Sequence, residues 1–312
     1  MSEKLPCILI TGAAGALAQQ VINRLHGKYR LVVCDSRREV SMPEDIPSYH
    51  VDFNKRRFED LFKEYNFDGI IHLGRIGTNE YSREGRYAAN VIGSQRLLDL
   101  ARKYGVKQTL ILSTYFVYGA HPLNPAYLSE SSPLKAAGIT MDLVDSVELE
   151  NLATIYLWKY PDLHITILRP CNIVGPGVNN TLSQALMQPR VPVLMGFSPM
   201  MQFIHLEDMA DAIVTAFDQN QPGIYNVAPD DCVPYQSAIE LCGCKKLPVP
   251  SVPENMPKLL SSVFKRELFP PHLIDYFKYA ATIDGSLFAQ TFGFKPRYGL
   301  KEIFAHYRNL KS

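Results

Sequence analysis

The chain alternates short, almost wholly apolar runs with longer stretches in which apolar residues recur at helical spacing. The runs lie near residues 7–11, 30–34, 48–51, 69–73, 108–113 and 164–169. The stretches near 15–26, 55–64, 84–104 and 142–160 read as helices. Gly69-Ile70-Ile71-His72-Leu73 and Thr109-Leu110-Ile111-Leu112 are apolar on both faces, as strands covered by helices on each side must be. Regular strand–helix alternation predicts an α/β fold with a doubly wound parallel sheet.

After Pro170 the texture changes. Pro176, Pro189, Pro192, Pro199, Pro222 and Pro229 break the alternation, although residues 206–218 are helical again. The pattern predicts a first domain over residues 1–170 with a return segment over about 205–224. A smaller C-terminal α+β lobe over 171–204 and 225–312 is the expected place for substrate. The chain shows no internal repeat and no low-complexity linker.

Composition narrows the class. Over 312 residues, 46% hydrophobic and 20% charged content suit a globular protein with a large core. A net charge of +1 argues against a nucleic-acid groove or an acidic membrane surface as partner. Arg37-Arg38 and Lys55-Arg56-Arg57 are interrupted by acidic neighbours and read as solvated surface. The sequence has no apolar run long enough to span a bilayer and no N-terminal leader pattern, so a cytoplasmic location is expected. Six scattered cysteines, with Cys242-Gly243-Cys244 lacking a second ligand pair, predict reduced thiols and no metal site.

Chemistry enters with the first forty residues. The strand Cys7-Ile8-Leu9-Ile10-Thr11 runs into Gly12-Ala13-Ala14-Gly15 and then a helix. Gly12 permits the tight turn, Gly15 lets backbone approach a diphosphate, and Ala18 lets the helix pack closely on the strand. The helix start offers unpaired N–H groups and a positive dipole end to phosphates. Asp35 follows at the end of the next strand, placed for ribose hydroxyls and against a 2′-phosphate. This is a Rossmann-type dinucleotide site, favouring NAD over NADP, with Arg37 and Arg38 close by. Gly12, Ala14, Gly15, Ala16, Leu17 and Asp35 are the expected contacts. The competing reading of this turn alone is an α/β fold that holds no ligand there.

The chain resembles the extended short-chain dehydrogenases/reductases of the NAD-dependent epimerase/dehydratase group over nearly its whole length. Thr11-Gly12-Ala13-Ala14-Gly15, Val51-Asp52, His72-Leu73-Gly74 and Asn90-Val91-Ile92-Gly93-Ser94 carry the likeness. It continues through Ser113-Thr114-Tyr115-Phe116-Val117-Tyr118-Gly119, Leu168-Arg169-Pro170-Cys171-Asn172, Gly175-Pro176-Gly177, Phe203-Ile204-His205-Leu206-Glu207-Asp208 and Tyr225-Asn226-Val227. The resemblance implies that Asp52 and Phe53 meet the adenine end and that Leu73, Gly74 and Arg75 line the cofactor cleft. Asn90 would support the active-site backbone, and Leu112, Pro170, Asn172 and Ile173 would complete the cofactor's surroundings. Asn172, Thr181 and His205 are implied substrate contacts. Thr114, five residues before Gly119, falls where the family places the Ser or Thr that bonds the reacting hydroxyl.

One part of the pattern is missing. Family members carry a Tyr-x-x-x-Lys pair, in which the phenolate takes a proton and the lysine lowers its pKa. Counting back four residues from Glu150 assigns the lysine position to Ser146 and the tyrosine position to Asp142. Neighbouring frames, Met141 with Asp145 or Thr140 with Val144, do not restore the pair. The Asp-Glu pair of the dehydratases is replaced by Tyr115-Phe116, and the arginine usual in nucleotide-sugar enzymes is replaced by Met201-Gln202. The chain is similar to a subset of UDP-glucose 4-epimerase-like proteins with a degenerate active site, sharing Asp145-Ser146…Glu150, Gly175-Pro176 and Thr181-Leu182-Ser183.

Two functions follow. The first is an NAD-dependent oxidoreductase or isomerase acting at a hydroxyl or keto carbon of a sugar-like or other small substrate. Its acid/base group would be rewired to Thr114 with Tyr115, Tyr118 or Asp142, and Asp142 reads equally as a helix N-cap. The second is a non-catalytic NAD(H)-binding sensor or scaffold. Helices near 84–104 and 142–160 correspond to those through which family members pair, so a homodimer is expected. Leu97, Leu98, Leu149 and Leu152 suit either that interface or the sheet.

Overall fold

The computed structural model describes residues 5–77, 82–250 and 271–311. Part of the expected C-terminal lobe, residues 251–270, thus lies outside the described residues.

The first half alternates as its sequence pattern predicts. Strands β1 (Cys7–Thr11), β2 (Arg30–Asp35) and β3 (Ser48–His50) are separated by helix α1 (Ala16–Leu25) and a loop. Helix α2 (Arg56–Glu64) leads to β4 (Gly69–His72). Next come α3 (Arg83–Tyr87), a π-helical turn (Ala88–Ile92) and α4 (Gly93–Lys103), then β5 (Gln108–Leu112). A short α5 (Ala136–Ile139) and the long α6 (Val144–Lys159) precede β6 (Ile165–Pro170).

The second half begins with β7 (Asn172–Val174), α7 (Thr181–Met187), β8 (Arg190–Leu194), β9 (Met200–Met201) and β10 (Phe203–His205). Then α8 (Leu206–Gln219) and β11 (Gly223–Val227) return the chain to the first domain. After these come β12 (Val233–Pro234), α9 (Tyr235–Leu241), β13 (Lys245–Val249), α10 (Ser286–Phe292) and α11 (Leu300–Asn309).

Seven parallel strands form one sheet in the order β11-β6-β5-β4-β1-β2-β3. Chain direction across the sheet reverses between β1 and β4, which opens a crevice at the strands' carboxyl ends. One boundary differs from expectation. Gly223–Val227, read as the opening of the second lobe beyond 224, pairs with β6 as the seventh strand. Edge position explains why the sequence concealed it: only one neighbour constrains the run, and Tyr225-Asn226 interrupts its apolar pattern.

Helix α1 buries Ala18, Val21, Ile22 and Leu25, the expected one-face spacing, while α8 buries Ala210, Ala212 and Ala216 among its core residues. Small residues let α1 and α8 approach closely on the same side of the sheet. On the other side α4 buries Leu97 and Leu98, and α6 buries Leu149 and Ala153. The leucines that suited either an interface or the sheet therefore face the molecule's own interior, with Leu152 half-buried beside them. Exposed apolar side chains here are Ile92, ending the π-helical turn before α4, and Ile155 and Trp158 on α6, the last 77% exposed. Among the described residues the second lobe holds three two-stranded pairings: β7 with β10, β9 with β12 and β8 with β13.

Candidate active site

The glycine turn is built around a contact no other residue allows. Gly12 has φ of +72°, and a Cβ there would stand 2.6 Å from the Gly74 backbone beyond β4. Gly15 donates to the Gly12 carbonyl at 3.0 Å and begins α1 without any side-chain cap. The first turn of α1 carries no acidic residue, so its N–H groups are left for an anion. Asp35, only 1% exposed, accepts from the Ala14 N–H at 3.0 Å and from the Arg37 N–H at 2.8 Å. The carboxylate thus fixes the turn and keeps further lone pairs for ribose hydroxyls.

Arg38 donates to the Ala14 carbonyl at 2.7 Å, and the Arg37 Nε lies 3.7 Å from Asp35, so both arginines frame the adenine end. A crevice runs from Asp35, Asp52 and Phe53 past Gly12 and Gly74 to Arg75 and Asn90. These residues fit a dinucleotide: a glycine backbone and helix start for the diphosphate, and a buried carboxylate for the adenosine ribose. Ala16 and Leu17 open α1, and a Cβ on Gly177 would lie 3.4 Å from that of Ala16, so the loop after β7 passes beside the helix start. Leu73 follows β4, while Leu112 ends β5, Pro170 ends β6 and Ile173 lies in β7. Leu112 and Pro170 are at the carboxyl edge of the sheet, and Ile173 pairs with Ile204 of β10 in the second lobe; all three lie beyond the crevice lining.

A buried polar cluster backs the crevice. Asn90, in the π-helical turn, exchanges hydrogen bonds with the Ile76 backbone and donates to Asp145 Oδ2 at 2.6 Å. π-Turns re-aim side chains at functional sites, and this one points Asn90 inward to α6. Ser146, at the position where the family has lysine, accepts a hydrogen bond from the Arg75 guanidinium. Burial lowers the Arg75 pKa from its ordinary value, against the opposing pull of Asp145 and Glu150. Glu150 is fully buried, bonded by Ser113 Oγ and by Arg169 through Nε at 2.9 Å and Nη2 at 2.8 Å.

The four candidate catalytic residues have different surroundings. Thr114 caps the 3₁₀ turn Tyr115–Tyr118 by accepting from the Phe116 N–H at 3.3 Å, and its hydroxyl proton is free to donate elsewhere. Tyr115 donates to Asn172 Oδ1 at 2.9 Å, and burial pushes its pKa well above the usual tyrosine range. It is a neutral phenol and a hydrogen-bond donor. Tyr118 donates to Asn226 Oδ1 and accepts from Arg169, both at 2.7 Å, with its pKa pushed up to about 12 by burial.

Asp142 lies inside a short turn that it does not cap. The cap of its short turn is Thr140, which accepts from the Asp142 N–H at 3.3 Å. Its carboxylate accepts from Arg83 Nε at 2.7 Å and lies 3.5 Å from Arg86. Two guanidinium groups therefore compensate it.

Of the substrate candidates, Asn172 starts β7 and donates to the Gln202 carbonyl at 2.9 Å. Thr181 opens α7 just after the Asn180 cap. His205 caps α8, accepting at Nδ1 from the Glu207 N–H at 3.3 Å and stacking on Tyr298 at 3.9 Å. Burial lowers its pKa despite Glu207 and Asp208 nearby. Gln202, where an arginine was looked for, is buried and bonds Pro229, Ile283 and Asn172 through its side chain and carbonyl.

Sequence reasoning missed His72, whose imidazole links Thr11 Oγ1 at 2.7 Å to Ser94 Oγ at 2.9 Å. It also missed the reach of Arg75 to α6, since the partners lie 71 positions apart and leave no local signal. Among the described residues no group of three or more His, Cys, Asp or Glu side chains is arranged to hold a metal. No described helix is long and apolar enough to cross a membrane.

Comparison with known proteins points the same way. The pattern of the NAD dependent epimerase/dehydratase family matches residues 8–228. An uncharacterized protein of Mycobacterium tuberculosis (strain ATCC 25618 / H37Rv) is 28% identical over 258 residues, 76% of this chain and 66% of that one. The chain thus spans just under two thirds of that relative's length. A UDP-glucose 4-epimerase of Caenorhabditis elegans is 27% identical over 259 residues, covering 68% of this chain and 73% of the relative. Among solved structures, a UDP-glucose-4-epimerase from Stenotrophomonas maltophila with bound NAD matches with a TM-score of 0.77 at 19% identity, over 98% of each chain. A dTDP-glucose 4,6-dehydratase from Bacillus anthracis in complex with NAD matches at 0.75 and 18% identity, over 97% of each chain. At these identities the structures establish a shared fold.

Proposed function

This chain belongs to the NAD dependent epimerase/dehydratase family, and on that premise we propose that it is an NAD-dependent oxidoreductase or isomerase. It acts on a hydroxyl or keto carbon of a sugar-like substrate with an altered acid/base apparatus. The observation that carries this reading is the Asp35-braced glycine turn in front of an uncapped α1. Bound NAD would accept or return a hydride at the substrate carbon. The chain's own residues hold its diphosphate at Gly12–Gly15, its adenosine ribose at Asp35, and the substrate hydroxyl at Thr114. Tyr115, a neutral phenol, is suited to donate to a substrate carbonyl when it leaves Asn172. Nucleotide-activated sugars are the first substrate class to try, since named relatives are UDP-glucose 4-epimerases.

One observation favours a second reading, a non-catalytic NAD(H)-binding protein. Tyr115, Tyr118 and Asp142 each already have a protein partner. Calorimetry with NAD and NADH, followed by hydride exchange from labelled NADH into nucleotide sugars, polyols and keto acids, separates the readings. Turnover that falls ~100-fold in Thr114→Val, with cofactor binding unchanged, is expected for the enzyme. Stoichiometric binding without exchange establishes the second reading, and absence of binding overturns both. We further propose that the chain pairs as a homodimer through the outward faces of α4 and α6.

A further inference from the structure

The crevice contains a cation with unfilled hydrogen-bonding capacity. Arg75 lies three residues past the end of β4 and lines the crevice with Gly12, Gly74 and Asn90. Its guanidinium donates to Ser146 on α6, the one hydrogen-bond partner it has among the described residues. Five N–H donors leave most of that group's capacity unused. The nearby carboxylates are engaged elsewhere: Asp145 accepts from Asn90, and Glu150 accepts from Arg169 and Ser113. The remaining donors of Arg75 therefore have the crevice to meet.

Strand order decides what passes there. Asp35 ends β2, Gly12 follows β1, and Arg75 follows β4, in that sequence across the sheet. A dinucleotide with its adenosine at Asp35 and its diphosphate over Gly12–Gly15 carries its second ribose across the end of β4. We propose that Arg75, braced by Ser146, is a positioning residue for that second ribose, donating to its vicinal hydroxyls. The planar fork of a guanidinium suits two adjacent oxygens. The β4 loop would then supply the cation that α6 lacks at position 146. This inference rests on the dinucleotide-binding reading above.

Three ligands dissect it by calorimetry on the full chain: ADP, which ends at the diphosphate, ADP-ribose, which adds the second ribose, and NADH. Arg75→Ala is expected to weaken ADP-ribose and NADH by ~10-fold or more, about 1.4 kcal/mol, and to change ADP by less than about twofold. The double variant Arg75→Ala/Ser146→Lys, which places a cation on α6 in the vacated space, is expected to recover most of the loss. If circular dichroism shows Arg75→Ala to be misfolded, Arg75→Gln, which keeps a donor for Ser146, takes its place with the same expectations. Equal weakening of ADP and ADP-ribose in a folded variant, no weakening of either, or no recovery in the double variant overturns the assignment. A wild-type chain that binds none of the three ligands overturns the dinucleotide reading itself, a separate outcome.

Discussion

Burial holds the His72 imidazole neutral, with its pKa lowered to about 4 from 6.5. In that form it bridges Thr11 on β1 and Ser94 on α4. Because the folded value lies below the unfolded one, the unfolded chain takes up the proton first as pH falls. The contribution is complete above about pH 6.5 and is lost progressively toward pH 4, by up to about 3 kcal/mol. Urea unfolding at pH 7.5 and pH 5 should show this fall, and His72→Gln should flatten it while lowering the pH 7.5 baseline. An unchanged slope in the variant would assign the acid sensitivity to other groups. At this scale the sequence disclosed unevenly. Gly12 was legible because a positive-φ turn after an apolar strand leaves a spacing in the chain, whereas His72 looked like one more strand residue. Its partners come from 61 positions before and 22 after, separations that no local pattern encodes.

Helix α6 shows what an element contributes when its polar face is buried. Glu150 on this helix, Ser113 after β5 and Arg169 on β6 join three elements through charge-assisted bonds. Removing one partner leaves the other charge buried and uncompensated, so Glu150→Ala should destabilise by ~3–5 kcal/mol. Glu150→Ala/Arg169→Met should regain a large part of that loss, measured by denaturant midpoint at constant slope. A single variant costing less than about 1 kcal/mol would show that water reaches the ion pair. The sequence predicted α6 within two residues at its start and one at its end. The identity of its polar partners was hidden: Arg75, Asn90 and Arg169 approach from three other elements. Asp142 illustrates the same limit, since an acidic residue near a helix start reads as a cap until the arginines beside it are placed.

For the whole molecule, the alternation of strands and helices was enough to specify the doubly wound sheet. Apolar burial on both faces of each central strand is written directly into the sequence. Beyond residue 170 the strands other than β11 are short and paired two by two, so their apolar runs are too brief to stand out, and the expected boundary at about 224 falls inside β11. The π-helical turn before α4 leaves Ile92 45% exposed, and α6 leaves Ile155 57% and Trp158 77% exposed. Covering these side chains is the role we assign to a second copy. Trp158→Glu should convert the dimer to a monomer in sedimentation at micromolar concentration, with NADH affinity unchanged. A wild-type chain that sediments as a monomer at that concentration would remove the proposal.

The hydrogen bonds that leave Tyr115 form a directed chain. Its phenol grips Asn172, that amide grips the Gln202 carbonyl, and the Gln202 side chain grips Pro229 and Ile283. Amide and phenol contacts tolerate little misalignment, so this file of groups behaves as a latch between β5's loop and the distal strands. A ligand that accepts from the phenol competes with Asn172 for the first link of that file.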